Sequence, residues 1–351
     1  MIDLQSLPRY DRHQTYEWNY EHVPEPVSQE VRDVPGEWRF CGLPVPSPLG
    51  VPAGPLLNGR WCLYYASLGF DVLTYKTVRS RTRSCYELPN LQPVECDRLF
   101  GGEADLPAAE TMTGSWAVSY GMPSRQPEDW RADIEWTRRQ LPADKILSVS
   151  VVGTVQDGWS IEDLAADYAQ CARWAKESGA DCVETNFSCP NVSTCDGQLF
   201  QQPADSQLVT QMVREAIGDL PYIAKIGRIP QREDAEALLA AVHESVDALA
   251  MTNSIASTVV KPDGGYLFDG ERRGICGAAT LQASVEQTAM LAGLIEASQY
   301  QLELIGVGGA ACWSDVQSYL QAGARAVHIA TAAMITPSTA WEIRQRMTAE
   351  N

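Results

Sequence analysis

The sequence predicts a closed barrel of eight parallel β-strands, each followed by a helix. From Gly50 onward the chain repeats one order eight times: a short apolar run, a polar or glycine-rich exit, then a segment with helical spacing. Alternating strands and helices are typical of a parallel sheet, and eight units favour closure into a (β/α)8 barrel. The predicted strands are 50–54, 70–76, 145–152, 181–186, 222–227, 246–252, 302–306 and 326–330.

The helical segments are recognised by an apolar stripe and by their first residues. In the clearest, 161–178, Leu164, Tyr168 and Ala172 share one face, and Ser160 is placed to cap the first turn. Comparable spacing predicts helices at 205–218, 231–244, 280–298 and 313–322.

An open, doubly wound sheet is the structural alternative. That fold normally carries a Gly-x-Gly-x-x-Gly turn after its first strand, and Gly54-Pro55-Leu56-Leu57-Asn58-Gly59 does not match it. One unit of the barrel is unusual, because about 70 residues separate the second and third strands, whereas a barrel loop usually has about two to six residues. A connection of that length predicts a lid or a wall of a ligand site.

Residues 1–37 lack periodicity and are rich in Tyr, Trp, Pro and charged residues, which predicts an arm packed on the main body. A short hairpin strand follows at 38–45, and the barrel unit is expected to occupy 38–351.

Composition excludes several functions. The chain has 351 residues, 45% of them hydrophobic, and its 45 acidic against 27 basic residues give a net charge of -18, which disfavours nucleic acid and anionic lipid. The ten cysteines contain no Cys-x-x-Cys pair, and none of the four histidines is spaced as a metal pair, so no metal site is expected. No apolar run reaches the roughly 20 residues of a membrane span, and we expect a cytoplasmic protein without a membrane or nucleic-acid partner.

The strand exits carry the polar residues, and in such a barrel these exits meet at one end. Lys76 and Lys225 are strand-end lysines, each of which needs either a loop carboxylate or a bound anion as partner. The seventh exit, Gly306-Val307-Gly308-Gly309, is rich in glycine and the eighth, Ala330-Thr331-Ala332, in small residues. Loops at these two positions frequently bind phosphate.

The fourth exit ends in Cys189-Pro190, which predicts a rigid elbow because proline restricts the residue before it. Two interpretations remain open: a buried loop in which Cys189 is a small apolar filler, or a reactive site where the thiol exchanges a proton. Four histidines do not allow a Ser-His-Asp or Cys-His arrangement to be assembled, so an acid/base role for Cys189 is favoured over acyl transfer.

Several exits together resemble the dihydroorotate dehydrogenase family of FMN-containing TIM barrels, over about Trp38 to Met347. The most specific element is Asn186-Phe187-Ser188-Cys189-Pro190-Asn191, and it is supported by Pro52-Ala53-Gly54, Tyr75-Lys76-Thr77, Thr252-Asn253-Ser254 and Ile305-Gly306-Val307-Gly308-Gly309. By this resemblance, the cysteine on this loop indicates the family's soluble, cysteine-base class.

The resemblance implies oxidation of dihydroorotate, or a related dihydropyrimidine, by FMN. Cys189 would take a proton from C5 while a hydride passes from C6 to FMN N5. The implied substrate contacts are Lys76, Tyr120, Gly121, Met122, Asn186, Asn191, Asn253 and Ser254. The implied FMN contacts are Ala53, Gly54, Lys76, Thr77, Asn186, Lys225, Thr252, Gly277, Gly308, Gly309, Ala330 and Thr331.

Two departures from the family pattern fall on substrate recognition, and a milder one falls on the phosphate loop. Val118 and Ser124 stand where the family has asparagines, and Ala330 stands where it usually has glycine. A reductase or dehydrogenase of another pyrimidine or conjugated cyclic amide is therefore the first alternative. A flavin-free sugar-phosphate lyase or isomerase and a non-catalytic flavin-binding protein are further alternatives. The resemblance also implies a homodimer, and the electron acceptor is left open.

Overall fold

The computed structural model describes residues 6–28, 30–188 and 198–349. An antiparallel hairpin of β1 (Trp38–Phe40) and β2 (Leu43–Val45) precedes a closed barrel of eight parallel strands. In chain order these are β3 (Leu49–Val51), β4 (Val72–Val78), β8 (Ile146–Val151), β9 (Cys182–Asn186), β10 (Tyr222–Lys225), β11 (Ala248–Met251), β15 (Glu303–Val307) and β16 (Ala326–His328). The predicted (β/α)8 barrel is confirmed.

Helices surround the barrel and match the predicted segments to within a few residues. They are α1 (Tyr16–Glu21), α2 (Gly59–Ser67), α3 (Pro127–Gln140), α4 (Ile161–Glu177), α5 (Pro203–Ile217), α6 (Arg232–Val242), α7 (Leu281–Ser298), α8 (Trp313–Gln321), α9 (Thr331–Ile335) and α10 (Thr339–Ala349). Ser160 caps α4 as predicted: the Asp163 amide donates to Ser160 Oγ at 3.3 Å, and the Ser160 amide donates to Asp163 Oδ2 at 3.0 Å.

The long connection after β4 builds part of a second, smaller sheet. It contributes β5 (Leu91–Pro93), β6 (Leu106–Pro107) and β7 (Ser115–Val118), while the segment after β11 contributes β12 (Ile255–Ser257), β13 (Val259–Val260) and β14 (Arg273–Gly277). Four of these strands form one sheet in the order β12-β14-β7-β5, and β6 pairs with β13. We refer to the four-stranded sheet as the roof sheet, because its strands face the exits of the barrel.

The barrel interior changes from apolar to polar along its axis. At the N-terminal end Phe40, Val72, Ile146 and Cys182 form a buried apolar cluster that the β1–β2 hairpin covers. Inward-facing positions nearer the C-terminal end are polar, among them Glu184 and Lys225. The side chains that can do chemistry therefore lie at the end where the roof sheet lies.

The first described residues pack on the body of the molecule. Tyr10 and Tyr16 both contact the ring of Tyr120, with centroid distances of 6.2 and 5.9 Å. Helices of the described ranges include none that is both long enough and apolar enough to cross a membrane.

Candidate active site

A cavity of about 350 Å³ lies between the barrel exits and the roof sheet. Its floor and sides come from the segments after β3, β11, β15 and β16, and Trp116 and Val118 of β7 line it from above. The long connection after β4 thus provides a wall of the site. The volume is within the range of about 300–1,000 Å³ that small-molecule and cofactor sites occupy.

One side of this cavity, which we call the cofactor side, is built from backbone. Gly277, Gly308 and Gly309 line it. Their φ values are 107°, 127° and 78°, respectively, all in the region that favours glycine. A Cβ on Gly308 would lie 2.5 Å from Ser284 Oγ, and one on Gly277 would lie 2.2 Å from the Gly114 carbonyl oxygen. Bare backbone at these positions lets peptide N–H groups approach a ligand closely, which suits a phosphate.

Lys225 lines the same cavity from the end of β10 and is only 3% exposed. Its ammonium lies 3.4 Å from Oε1 of Glu184, which is fully buried on the neighbouring strand β9. The carboxylate partner that the sequence left open therefore exists, and it comes from a strand and not from a loop. Glu184 Oε2 has no hydrogen-bond partner among the described residues.

Behind Asn253, which lines the cavity, lies a group of side chains that bond to one another, and we call this group the substrate side. Asn186 donates from Nδ2 to Thr77 Oγ1 at 3.5 Å and contacts Met122 Sδ at 3.7 Å. The Ser188 amide donates to Asn186 Oδ1 at 3.1 Å, and Asn253 Nδ2 donates to the Ser188 carbonyl oxygen. Because Asn253 also lines the cavity, it connects the two sides.

Lys76 is buried on β4 beside Thr77, and a thiol that the sequence did not single out, Cys85, is close enough to feel its charge. Burial and then Glu17 raise the pKa of Cys85, and the positive charge of Lys76 opposes them, leaving it at about 12. Cys85 therefore stays protonated at neutral pH. No sequence motif indicated Cys85, because only the course of the connection after β4 brings it near Lys76.

Arg79, which follows β4 directly, joins the substrate-side loops. It is fully buried; its Nε donates to the Met122 carbonyl at 3.2 Å and its Nη1 to the Gly153 carbonyl at 2.8 Å. The backbone amide of Arg79 donates a further hydrogen bond to Ser124 Oγ at 3.0 Å. The sequence signal that could have indicated Arg79 is a charged residue immediately after a buried strand.

The predicted residues are distributed over both sides. Those that line the main cavity are Gly54, Tyr120, Lys225, Asn253, Gly277, Gly308, Gly309, Ala330 and Thr331. Lys76, Thr77, Met122 and Asn186 lie in the substrate-side cluster or next to it. Ala53, Gly121, Thr252 and Ser254 are chain neighbours of cavity residues, and Cys189 and Asn191 lie outside the described residues.

The departures at Val118 and Ser124 have different locations, and that at Ala330 lies in the cavity lining. Val118 lines the cavity and offers it no hydrogen-bonding group. Ser124 does not line it: its hydroxyl accepts from the Arg79 amide and donates to the Arg125 carbonyl at 2.9 Å. Cavity residues that the sequence did not indicate include Trp116, Cys276 and Glu342, which come from the roof sheet and the last helix.

A (β/α)8 barrel with a buried lysine, glycine backbone after its seventh strand and small residues after its eighth has the arrangement that many barrel enzymes use to bind a phosphate group. Among the residues that the structure describes, no group of three or more His, Cys, Asp or Glu side chains is placed to hold a metal ion.

Comparison with known proteins assigns the family. Residues 37–350 match the family model for dihydroorotate dehydrogenase. A dihydroorotate dehydrogenase of Dictyostelium discoideum is 31% identical over 94% of this chain and 95% of its own length. The chain belongs to the dihydroorotate dehydrogenase family, which comprises flavin-dependent oxidoreductases that act on CH–CH bonds.

Two further similarities bear on substrate and fold. The NAD-dependent dihydropyrimidine dehydrogenase subunit PreA of Escherichia coli is 23% identical over 84% of this chain and 67% of its own length. A crystal structure of dihydroorotate dehydrogenase from Eimeria tenella, in complex with ferulenol, superposes with a TM-score of 0.73 over 95% of this chain and 89% of that one, at 17% identity. The likeness to the Eimeria tenella structure supports the barrel fold.

Proposed function

We propose that the chain oxidises dihydroorotate, or a closely related dihydropyrimidine, to the unsaturated ring with FMN as cofactor and Cys189 as the base. The observation that carries the proposal is the single cavity shared by Lys225, the bare backbone of Gly308 and Gly309, and Asn253. It joins an anion-binding side to the carboxamide of Asn253, as a phosphorylated flavin beside a flat cyclic amide requires.

The residues present fit FMN. Gly277, Gly308, Gly309, Ala330 and Thr331 would hold its phosphate, because small residues there leave room for close backbone contact. Lys225 would lie by the ring, where a positive charge favours the reduced state. FMN supplies a hydride acceptor, and the remaining tasks fall to the protein.

Those tasks are binding, orientation and removal of a proton. Asn186 is held by Thr77 and by the Ser188 amide, so its orientation is determined before a substrate arrives. Residues 186–188 also fix the chain immediately before Cys189. A thiol with an ordinary pKa of about 8.5 serves as a base at neutral pH only when its environment favours the thiolate.

The absorption spectrum of the purified protein, before and after addition of dihydroorotate, tests this function. We expect a flavin spectrum that bleaches anaerobically with substrate. Cys189→Ala should keep the flavin and lose most turnover, while Cys189→Ser should retain part of it. Colourless protein that takes up no FMN would refute the proposal, and full activity of the alanine variant would remove Cys189 as base.

A second candidate is oxidation or reduction of a pyrimidine that lacks the carboxylate of orotate. It is favoured by Val118, which offers an apolar contact where a carboxamide would be expected to help hold that group. The similarity to a dihydropyrimidine dehydrogenase subunit agrees with it. Reoxidation of the reduced flavin by orotate, uracil and thymine, compared under identical conditions, distinguishes the two.

We also propose that residues 1–37 act as an arm of the barrel unit 38–351 and that the enzyme is a cytoplasmic homodimer. The arm is supported by Tyr10 and Tyr16, which pack on the cavity residue Tyr120. The dimer and the compartment rest on the resemblance to the cysteine-base class. Light scattering of the purified protein measures the assembly, and a monomeric mass would refute it.

A further inference from the structure

The N-terminal arm carries two buried aromatic rings that the proposed reaction does not use. Tyr10 and Tyr16 are each only 6% exposed, although they precede the barrel in the chain. Both rings meet the ring of Tyr120 edge to face, at centroid distances of 6.2 and 5.9 Å and angles of 74° and 70°. Edge-to-face contact is a favourable arrangement of aromatic rings. Two rings of the arm thus hold one ring of the body in place.

The residues from Tyr120 to Met122 are each supported by packing from outside their own segment. Tyr120 lines the cavity, and Gly121 lies against the ring of Tyr86, where a Cβ would be 2.7 Å from Cζ. Met122 has a φ of 53°, which is uncommon for a residue other than glycine and persists only where neighbouring groups support it. Arg79 gives such support, since its Nε donates to the Met122 carbonyl at 3.2 Å. The arm supplies the corresponding support for Tyr120.

The arm also lies beside a strand-end lysine. Tyr16 and Lys76 line the same gap, whose volume of about 10 Å³ is about what a single water needs. Two residues after Tyr120, Met122 contacts Asn186 Nδ2 with its Sδ at 3.7 Å. A movement of the Tyr120 ring therefore reaches Met122 and Asn186, which the family resemblance assigns to the substrate together with Lys76.

Other contacts fasten the arm to the body without these two rings. Tyr64 Oη donates to the Pro8 carbonyl at 2.6 Å, and Trp61 Nε1 donates to the Asn19 carbonyl at 3.0 Å. These bonds lie on either side of positions 10 and 16 in the chain. Substitution of one ring should therefore leave the course of the arm unchanged, so the rings can be tested separately from the arm.

We propose that Tyr10 and Tyr16 are positioning residues for the substrate: they hold the ring of Tyr120 in the cavity wall, so that the arm completes the pyrimidine site. Neither Tyr10 nor Tyr16 belongs to the cavity lining, so both act through Tyr120. The inference rests on the proposed oxidation of a dihydropyrimidine. It predicts that the two rings affect substrate binding and leave FMN binding unaffected.

Tyr16→Ala removes the ring that lies between Tyr120 and Lys76. We expect KM to rise about tenfold for the best substrate among dihydroorotate, dihydrouracil and dihydrothymine, the size of effect that loss of one aromatic pair allows. The kcat and the affinity for FMN should stay within about twofold of the wild type. Tyr10→Ala should act in the same direction, and Tyr16→Phe, which keeps the ring, should keep the wild-type KM.

Trp18→Ala is the matched control, because Trp18 lies on the same helix α1, is 37% exposed and stacks on His22 at 4.1 Å. It should leave KM unchanged. An unchanged KM in both Tyr10→Ala and Tyr16→Ala would overturn the inference. Equal rises in Tyr16→Ala and Trp18→Ala, or a loss of FMN affinity as large as the rise in KM, would also overturn it, since either pattern indicates a general disturbance of the fold.

Hydrogen exchange of the full chain without flavin separates this inference from the proposed function. The Ser119 amide donates to the Asn90 carbonyl at 2.8 Å and the Ser124 amide to the Arg83 carbonyl at 2.9 Å, so both report on the segment that contains Tyr120. Their exchange should be about tenfold faster in Tyr16→Ala and unchanged in Tyr16→Phe and Trp18→Ala. Equal exchange in all variants would overturn the positioning role, whereas wild-type protein that binds no FMN would refute only the proposed function.

Discussion

The cofactor side and the substrate side offer a ligand different chemical groups: backbone on the first and side chains on the second. On the cofactor side Gly277, Gly308 and Gly309 present backbone, and a Cβ at any of them would overlap a neighbour. On the substrate side Asn186 and Asn253 present carboxamides that are held by hydrogen bonds to other parts of the protein.

This difference explains why the two sides can diverge independently. Backbone recognition depends on the course of the chain, so it is lost only when a side chain blocks the approach or the loop changes shape. Side-chain recognition can be altered one residue at a time. The departures at Val118 and Ser124 both lie in the connection after β4, whereas the cofactor side keeps Gly277, Gly308 and Gly309 and has the milder departure at Ala330.

Lys225 lies where the two sides meet, and its substitution should have the largest effect. Lys225→Met leaves Glu184 buried without its partner, which should lower the free energy of unfolding by about 3–5 kcal/mol. The double variant Lys225→Met, Glu184→Gln should recover most of that stability while flavin reduction by substrate stays slow. Chemical denaturation and stopped-flow reduction measure the two effects, and recovery of both would contradict a role at the cofactor.

On the cofactor side, Gly309→Val should weaken FMN binding by about 100-fold, which corresponds to about 3 kcal/mol of strain and blocked approach. Its φ is 78°, and a Cβ would lie 2.7 Å from Leu281 Cβ. Gly42→Val is the matched control, because Gly42 has the same φ of 78° and open space around its Cβ. Fluorescence titration with FMN should separate them; equal losses of affinity would argue against a backbone cradle.

Asn253 tests the connection between the sides. Asn253→Ala removes the bond to the Ser188 carbonyl and a carboxamide from the cavity. We expect kcat/KM for the pyrimidine to fall about 30-fold, roughly 2 kcal/mol, with FMN affinity unchanged. Loss of FMN in proportion to turnover would place Asn253 on the cofactor side instead.

The smallest effect is expected at Val118. Val118→Asn adds a carboxamide to the cavity wall and should improve KM for dihydroorotate by about fivefold, near the 1 kcal/mol of one hydrogen bond. Val118→Ala, which adds space without a polar group, is the control. A lower KM only for substrates with a carboxylate supports the placement of that carboxylate against the wall at position 118. An equal change in KM for dihydrouracil contradicts this placement.

Much of the cofactor side was predictable from local sequence. Gly308, Gly309, Ala330 and Thr331 directly follow predicted strands, so the barrel topology alone brings them together. Strand-end residues such as Lys225 and Asn186 were predictable for the same reason. Trp116, Cys276 and Cys85 were not, because they reach the site through long connections whose course depends on pairing in the roof sheet.

By itself the sequence determined the barrel, because each strand and helix is encoded by periodicity within its own segment. It also determined which exits carry amides, lysines and glycines. Only the tertiary structure decided that Glu184 is the partner of Lys225, that Arg79 links the segments at Met122 and Gly153, and that His328 lies in the space left by Gly50. These contacts join residues far apart in the chain, and their geometry depends on the tilt and register of the closed barrel, which no local pattern encodes.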